Sequence, residues 1–407
     1  MFVYDIFTII IYNVIRQKIV KEKSFTKKMK IAYVYPTMAR AGGTERMITE
    51  KVNILSEHFG YDITIITCFQ PANERNYFDI YKKVKQIYLE IPYFSQYKYK
   101  YPKRLWIKWK MNRILKKSII QAVIEEDPDI LIGFSRFKAN YISSVKCRAK
   151  KIIECHETRY NTNYDASEEH SVLVRMYMEI YRRFYFRVVE QRADIVVTLT
   201  EKDKQLWKRA KRIEVIPNFS TIQISNFCDC TSKRVIAVGR LAWEKGFGRL
   251  IEVWGIVSSR HPDWHLDIFG EGRMYDTLMA LIKLYKAKNI TIHENTATIS
   301  QEYAKSSICT VTSYFEGFSL VLLEAIRHGL PCIAFDCPFG PGYIIDDARE
   351  GFLVENGDIR LFAERLCRLI EDVELRKLFS GNAIKRAKYF DANVIMNQWK
   401  ALFESLF

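Results

Sequence analysis

Hydrophobic positions along the chain follow two alternating periods. KIAYVY (30–35), YDITIIT (61–67), DILIGFS (129–135), AKKIIECH (149–156) and ADIVVTLT (193–200) are short apolar runs of buried-strand length. Between the first two, GTERMITEKVNILSEHF (43–59) places Met47, Val52 and Leu55 on one helical face. The pattern restarts after RIEVIPNFS (212–220). RVIAVGR (234–240), WHLDIFG (264–270), NITIHE (289–294), ICTVTS (308–313) and PCIAFD (331–336) read as strands. Helices are predicted over 248–261 and about 273–287. Strands alternating with helices predict parallel sheets covered on both faces. With a boundary near Pro217, the prediction is α/β: two doubly wound Rossmann-like domains facing each other across a cleft. Ligands of such sheets bind at the carboxyl ends of the strands. The tail from Asp391 to Phe407 is amphipathic, with Val394, Trp399, Leu402, Phe403 and Leu406 as its expected apolar side, and reads as a closing helix.

Composition narrows the class. The chain has 407 residues, 48% hydrophobic and 27% charged, which excludes a disordered or collagen-like chain. Its net charge is +16, and the excess is confined to one half. Residues 1–220 hold 41 Lys and Arg against 24 Asp and Glu, while 221–407 hold 22 against 23. The first half therefore suits an anionic partner. The nine cysteines include no C-x-x-C pair, so they are expected as buried small hydrophobes in a reducing cytosol. Cys228 and Cys230 are expected in a surface loop.

Two segments bear on membranes. Residues 1–28 form an N-terminal extension whose apolar start, MFVYDIFTIIIYNVI, is too short to span a bilayer as a helix. It reads either as an interfacial segment or as a leader before a true start at Met29. YKYKYPKRLWIKWKMNRILKK (97–117) carries nine Lys or Arg, no acid, and both Trp106 and Trp109. It fits a solvated helix over a packed seam, or an anionic membrane surface. Nucleic acid is the weaker partner, because no binding motif accompanies the patch.

The chemistry concentrates in loops after strands. In YFEGFSLVLLEAIRHGLP (314–331), Glu316 and Gly317 precede a helix predicted from about Ser319 to His328. Its first amides, at Phe318, Ser319 and Leu320, offer an anion site suited to a diphosphate. Glu324 lies farther inside, so two carboxylates could reach different hydroxyl-bearing parts of one ligand. VGRLAWEKGFGRL (238–250) supplies Arg240 and Lys245 for phosphate. AGGTER (41–46) supplies Gly42 and Gly43, where backbone can approach a phosphate. FGPGYI (339–344) is a further candidate beside a base or phosphate. Asp127-Pro128-Asp129 sits at a strand entrance, the wrong end for a metal-binding acid pair.

Together these stretches resemble the family-4 glycosyltransferases of the GT-B fold, over roughly residues 29–407. Glu316 and Glu324 with the intervening GFSLVLLEA match the paired-glutamate signature. Arg240 and Lys245 match the GR…KG element. IFGEG (268–272), IPN (216–218), GG.ER (42–46) and EGFLVENGD (350–358) fit in order and spacing. The resemblance implies an acceptor-binding domain over 29–215, a nucleotide-sugar donor domain over 216–388, and a C-terminal helix over 389–407 packing back on the first domain. It implies that Glu324 holds the donor ribose and Glu316 the transferred hexose. Gly317, Phe318, Ser319 and Leu320 would contact hexose and phosphate. Arg240 and Lys245 would neutralise the leaving diphosphate, with Gly42 and Gly43 near it, and His156 would lie by the reacting sugar.

The implied activity is retaining hexosyl transfer from a nucleotide-diphosphate sugar, expected to be a UDP-sugar, to a glycan or polyprenyl-diphosphate-linked acceptor in surface polysaccharide synthesis. No cofactor or metal is expected, since protein cations replace the metal. The expected place is the cytoplasm, peripheral at the inner face of the cell membrane. Three rivals remain. One is a basic membrane- or nucleic-acid-binding adaptor on a degenerate transferase fold. Another is an NAD enzyme, for which G-x-G-x-x-G after the first strand is missing. The third is a pyridoxal phosphorylase, for which no cofactor lysine stands out.

Overall fold

In the computed structural model, residues 28–159, 172–224 and 226–407 are described. The expectations for the N-terminal extension lie outside them, except at Lys28. The described chain holds thirteen strands in two sheets. The first sheet comprises β1 (Lys30–Tyr35), β2 (Asp62–Thr67), β3 (Lys85–Tyr88), β4 (Ile130–Phe134), β5 (Lys150–Cys155), β6 (Ile195–Thr198) and β7 (Ile213–Val215). Their order is β3-β2-β1-β4-β5-β6-β7. The second comprises β8 (Arg234–Val238), β9 (His265–Phe269), β10 (Ile290–His293), β11 (Ile308–Val311), β12 (Cys332–Asp336) and β13 (Gly351–Glu355), in the order β10-β9-β8-β11-β12-β13. Its pairings are parallel throughout.

The described residues of Met1–Gly133 and Ser144–Lys151 form one compact unit, and Phe134–Ser143 with Ile152–Phe407 form another. The central strands are apolar on both faces, as in Ile130–Phe134, all five of whose residues are buried. Three edge strands, β3, β7 and β13, were not marked by the pattern. An edge strand is short and keeps partly exposed residues: β3 reads KQIY and β7 reads IEV, neither with a fully buried position.

Both sheets reverse their winding direction once, the first between β1 and β4, the second between β8 and β11. Crevices at such reversals are where doubly wound sheets take ligands. The loops after β8 and β11 therefore flank one of them. Helices α1 (Gly43–Glu57), α2 (Lys103–Glu126) and α3 (Val172–Arg192) belong to the first half of the chain. In the second half, α4 (Phe247–Arg260) presses Leu250, Ile251, Val253, Trp254 and Val257 into one core face. Helix α5 (Leu320–Arg327) buries Leu322, Leu323, Ala325 and Ile326 in the other. The closing helix α6 (Ala392–Glu404) keeps the expected Trp399, Leu402 and Phe403 on its buried side but not Val394. It buries Ile395, Met396, Trp399, Leu402 and Phe403, and leaves Val394 46% exposed. Near its end, Arg212 Nη1 donates to Ser405 Oγ at 2.9 Å.

Cys228 and Cys230 correct the surface-loop expectation. Both are buried, their sulfurs lie 3.5 Å apart, and Arg376 Nε donates to Cys230 O at 2.9 Å. The polar neighbours Asp229 and Thr231 make the stretch look exposed, but the buried arginine draws its backbone inward. Asp127 and Asp129 stay at the entrance of β4, where Arg148 Nε donates to Asp127 Oδ1 at 2.8 Å.

Candidate functional site

The loop after β11 runs from Thr312 to Ser319 and brings Glu316 to the mouth of the sheet. Glu316 is 9% exposed. Ser313 Oγ donates to its Oε1 at 2.7 Å. Phe339 pairs with it through a short parallel bridge, and a Cβ added to Gly340 would lie 2.6 Å from its own Cβ. The FGPG stretch thus packs against the acid and admits it because Gly340 has no side chain. Helix α5 then starts at Leu320, capped by Ser319, whose Oγ accepts from Leu322 N at 3.5 Å. The amides of the preceding turn lie at the positive end of the helix.

The loop after β8 supplies the cation. Lys245 Nζ lies 2.8 Å from Glu316 Oε1. The loop is locked to the end of β11 by Gly246, which has φ +66° and would place a Cβ 2.0 Å from Thr312 O. Only glycine meets both demands. Lys245, Thr312, Ser313, Glu316 and Ser319 line one pocket. Arg240 is not drawn into it: its side chain is 71% exposed and pairs with Glu244 at 2.9 Å. A stacked column braces the same loop. Trp243 lies on Tyr314 with centroids 4.3 Å apart and planes 5° from parallel. The Arg249 guanidinium fills the space between Tyr314 and Phe335, 3.8 and 4.4 Å from their centroids.

Glu324 lies inside α5 and is 6% exposed. Tyr303 donates its hydroxyl to Glu324 Oε2 at 3.1 Å. His328 closes the same helix, with Nδ1 2.8 Å from Glu324 O, and burial pushes its pKa below the usual histidine value.

His156 follows β5, with Nε2 2.8 Å from Glu154 Oε2 and its ring beside Phe134. The same compact unit contains Gly317, where an added Cβ would lie 2.5 Å from His156 O. The absent side chain is what lets the two backbones meet. His156 and the Glu316–Gly317 turn, 160 residues apart, are therefore neighbours.

In the first unit, Gly42 is the N-cap of α1 and Gly43 its first residue. The space a Gly42 side chain would take holds the carboxylate of Glu45, whose Oε2 lies 2.0 Å from the position of an added Cβ. Tyr35 donates to the same carboxylate at 3.2 Å, and burial with that negative neighbour pushes the phenol pKa far up. Glu45, an anion at a helix start, was not singled out from the sequence. Neither were Ser313 and Tyr303, whereas Gly340 belongs to the FGPGYI candidate. Ser313 lies three residues before Glu316 and was within reach of the pattern; Tyr303 carries no local signal. Among the described residues, no three His, Cys, Asp or Glu side chains come together as a metal site, and no helix is long and apolar enough to cross a membrane.

Comparison with known proteins adds to this geometry. Residues 220–386 match the family described as "Glycosyl transferases group 1", and residues 41–220 match "Glycosyltransferase Family 4". The amylovoran biosynthesis glycosyltransferase AmsD of Erwinia amylovora is 29% identical over 91% of this chain and 98% of its own length. Sucrose-phosphate synthase from Thermosynechococcus elongatus superposes with a TM-score of 0.75 at 17% identity, over 93% of this chain and 99% of that one. TarM of S. aureus, solved with fondaparinux, α-GlcNAc-glycerol and UDP, gives a TM-score of 0.72 at 15% identity, over 93% and 100%. At these identities the two structures speak for the fold.

Proposed function

The chain belongs to the family-4 glycosyltransferases, has the GT-B fold and is a transferase enzyme; from this premise we propose that it moves a hexose from a UDP-sugar to a glycan acceptor, with retention at the anomeric carbon. The carrying observation is the Lys245–Glu316 pair at 2.8 Å beside the start of α5. It joins a cation for a departing diphosphate to a carboxylate for sugar hydroxyls in one pocket. UDP in the TarM structure and polysaccharide synthesis by AmsD support the donor and the pathway class.

In this reading, the bond between the anomeric carbon and the β-phosphate oxygen breaks. The acceptor oxygen forms its bond on the same face, and its proton passes to the departing phosphate. Lys245 and Arg240 stabilise the charge that develops on the diphosphate, aided by the amides at Phe318 to Leu320. Arg240 must leave Glu244 to do so, and its exposure makes that exchange cheap. Glu316 and Gly317 hold the hexose, His156 borders it, Glu324 binds the ribose, and Gly42 and Gly43 serve the diphosphate. Protein cations take the place of a metal.

The acceptor is read as a polyprenyl-diphosphate-linked glycan at the inner membrane face. The first half's basic balance supports this, as does α2, on which Trp106 and Trp109 are 57% and 55% exposed. Arg113 lies 4.7 Å over the Trp109 ring and Lys110 lies 5.5 Å over that of Trp106. Basic stems and indole rings side by side suit an anionic headgroup layer.

The test is a panel of UDP- and GDP-hexoses scored by thermal stabilisation and slow hydrolysis. The product anomer is then read by proton NMR. A UDP-sugar should stabilise the protein, and an α-linked donor should give an α-linked product. Inversion, or RNA binding without any nucleotide-sugar binding, would overturn the reading and favour the adaptor in the second case.

A further inference from the structure

Glu324 is held at two points by one short segment, the helix Ile299–Ala304. Tyr303 is fully buried and donates to the carboxylate, at Oε2. Ser300 acts on the backbone through a relay. Its Oγ lies 2.8 Å from His328 Nε2, and His328 Nδ1 lies 2.8 Å from Glu324 O. Ser300 Oγ is itself 2.7 Å from Gln223 O. The rings of Tyr303 and His328 pack at 5.2 Å, so the two attachments brace each other.

A glutamate on a helix has several staggered side-chain settings, and a fixed donor selects one of them. Resting on the reading that Glu324 binds the donor ribose, we propose that Tyr303 is a positioning residue that fixes the Glu324 carboxylate for the ribose hydroxyls, with Ser300 and His328 fixing the backbone beneath it. A buried carboxylate aimed at hydroxyls rejects a sugar lacking them, because its own hydrogen-bonding capacity is then left unmet. That rejection is only as sharp as the carboxylate is still. Tyr303 therefore sets discrimination between ribose and deoxyribose rather than general affinity.

The readout is the ratio of dissociation constants for 2′,3′-dideoxy-UDP and UDP, measured by calorimetry on the full chain. The wild-type protein should prefer UDP by tenfold or more. Tyr303→Phe should lower that ratio three- to tenfold by weakening UDP, with the dideoxy nucleotide bound almost as before. Ser300→Ala keeps the tyrosine and removes a half-buried anchor, and should lower the ratio two- to threefold. An unchanged ratio in folded Tyr303→Phe overturns the proposal. Should that variant not fold, an unchanged ratio in Ser300→Ala overturns it. Equal weakening of both nucleotides marks a merely structural tyrosine and overturns it as well. A wild-type protein blind to UDP would instead sink the donor reading on which the proposal stands.

Discussion

Lys245 Nζ sits 2.8 Å from Glu316 Oε1 across 71 residues of sequence. The same ammonium is assigned to the diphosphate, so carboxylate and phosphate compete for it. Replacing Glu316 by Gln removes one competitor and keeps the shape. Turnover should fall at least about 100-fold, a loss of roughly 2.7 kcal/mol in transition-state stabilisation. UDP affinity should hold or tighten. Calorimetry beside initial rates checks both, and a tenfold weaker UDP complex would contradict the assignment.

Glu324→Ala should act in the opposite sense. UDP binding should weaken by about tenfold or more, roughly 1.4 kcal/mol, while turnover at saturating donor stays within a few-fold. A variant that binds UDP normally and turns over slowly would move Glu324 from the ribose to the reacting centre.

Gly246→Ala tests the lock between the two loops. The added methyl meets Thr312 O, and φ +66° is strained for alanine. The expected destabilisation is roughly 2 kcal/mol or more, seen as a lower Tm, with loss of activity because Lys245 rides on the same turn. A variant with wild-type Tm and rate would show that the turn is soft.

The aromatic face of α2 predicts lipid-dependent sedimentation. Full-length protein should partition onto vesicles with roughly a third anionic lipid, less onto neutral ones, and progressively less as salt rises. Trp106→Ser with Trp109→Ser should lower partitioning without changing donor hydrolysis. Equal binding to neutral and anionic vesicles would remove charge from the account.

His328 predicts a pH effect. Burial lowers its pKa in the fold below the ordinary 6.5, opposed by the hydrogen bond to Glu324 O and aided by Arg327. The unfolded chain takes up the proton first, so this group's stabilisation is full above about pH 6.5 and is lost as pH falls below it. His328→Gln should flatten the decline of Tm over that window. An identical slope in both proteins would rule the group out.

How much of this was legible beforehand follows from where each signal resides. Central strands such as Ile130–Phe134 announce themselves because both faces are buried; Lys85–Tyr88 and Ile213–Val215 do not, because an edge needs little apolar surface. Glu316, Glu324 and Lys245 could be singled out as candidates, each lying in a recognisable run that follows a strand. Tyr303 was not, since its partner lies 21 residues away and only folding joins them. Cys228 and Cys230 misled because their neighbours are polar while Arg376, from far along the chain, covers them. Val394 misled because it stands five residues before Trp399, off the helical stripe that Ile395 and Met396 continue.

At Gly246, Gly317 and Gly340 the decisive contribution is a side chain that is missing, each vacancy receiving another part of the polypeptide. Saturation mutagenesis of this enzyme should therefore find positions whose intolerance comes from the space they leave rather than from any group they present. Engineering its specificity has to vary the groups around those three points and leave the points themselves alone.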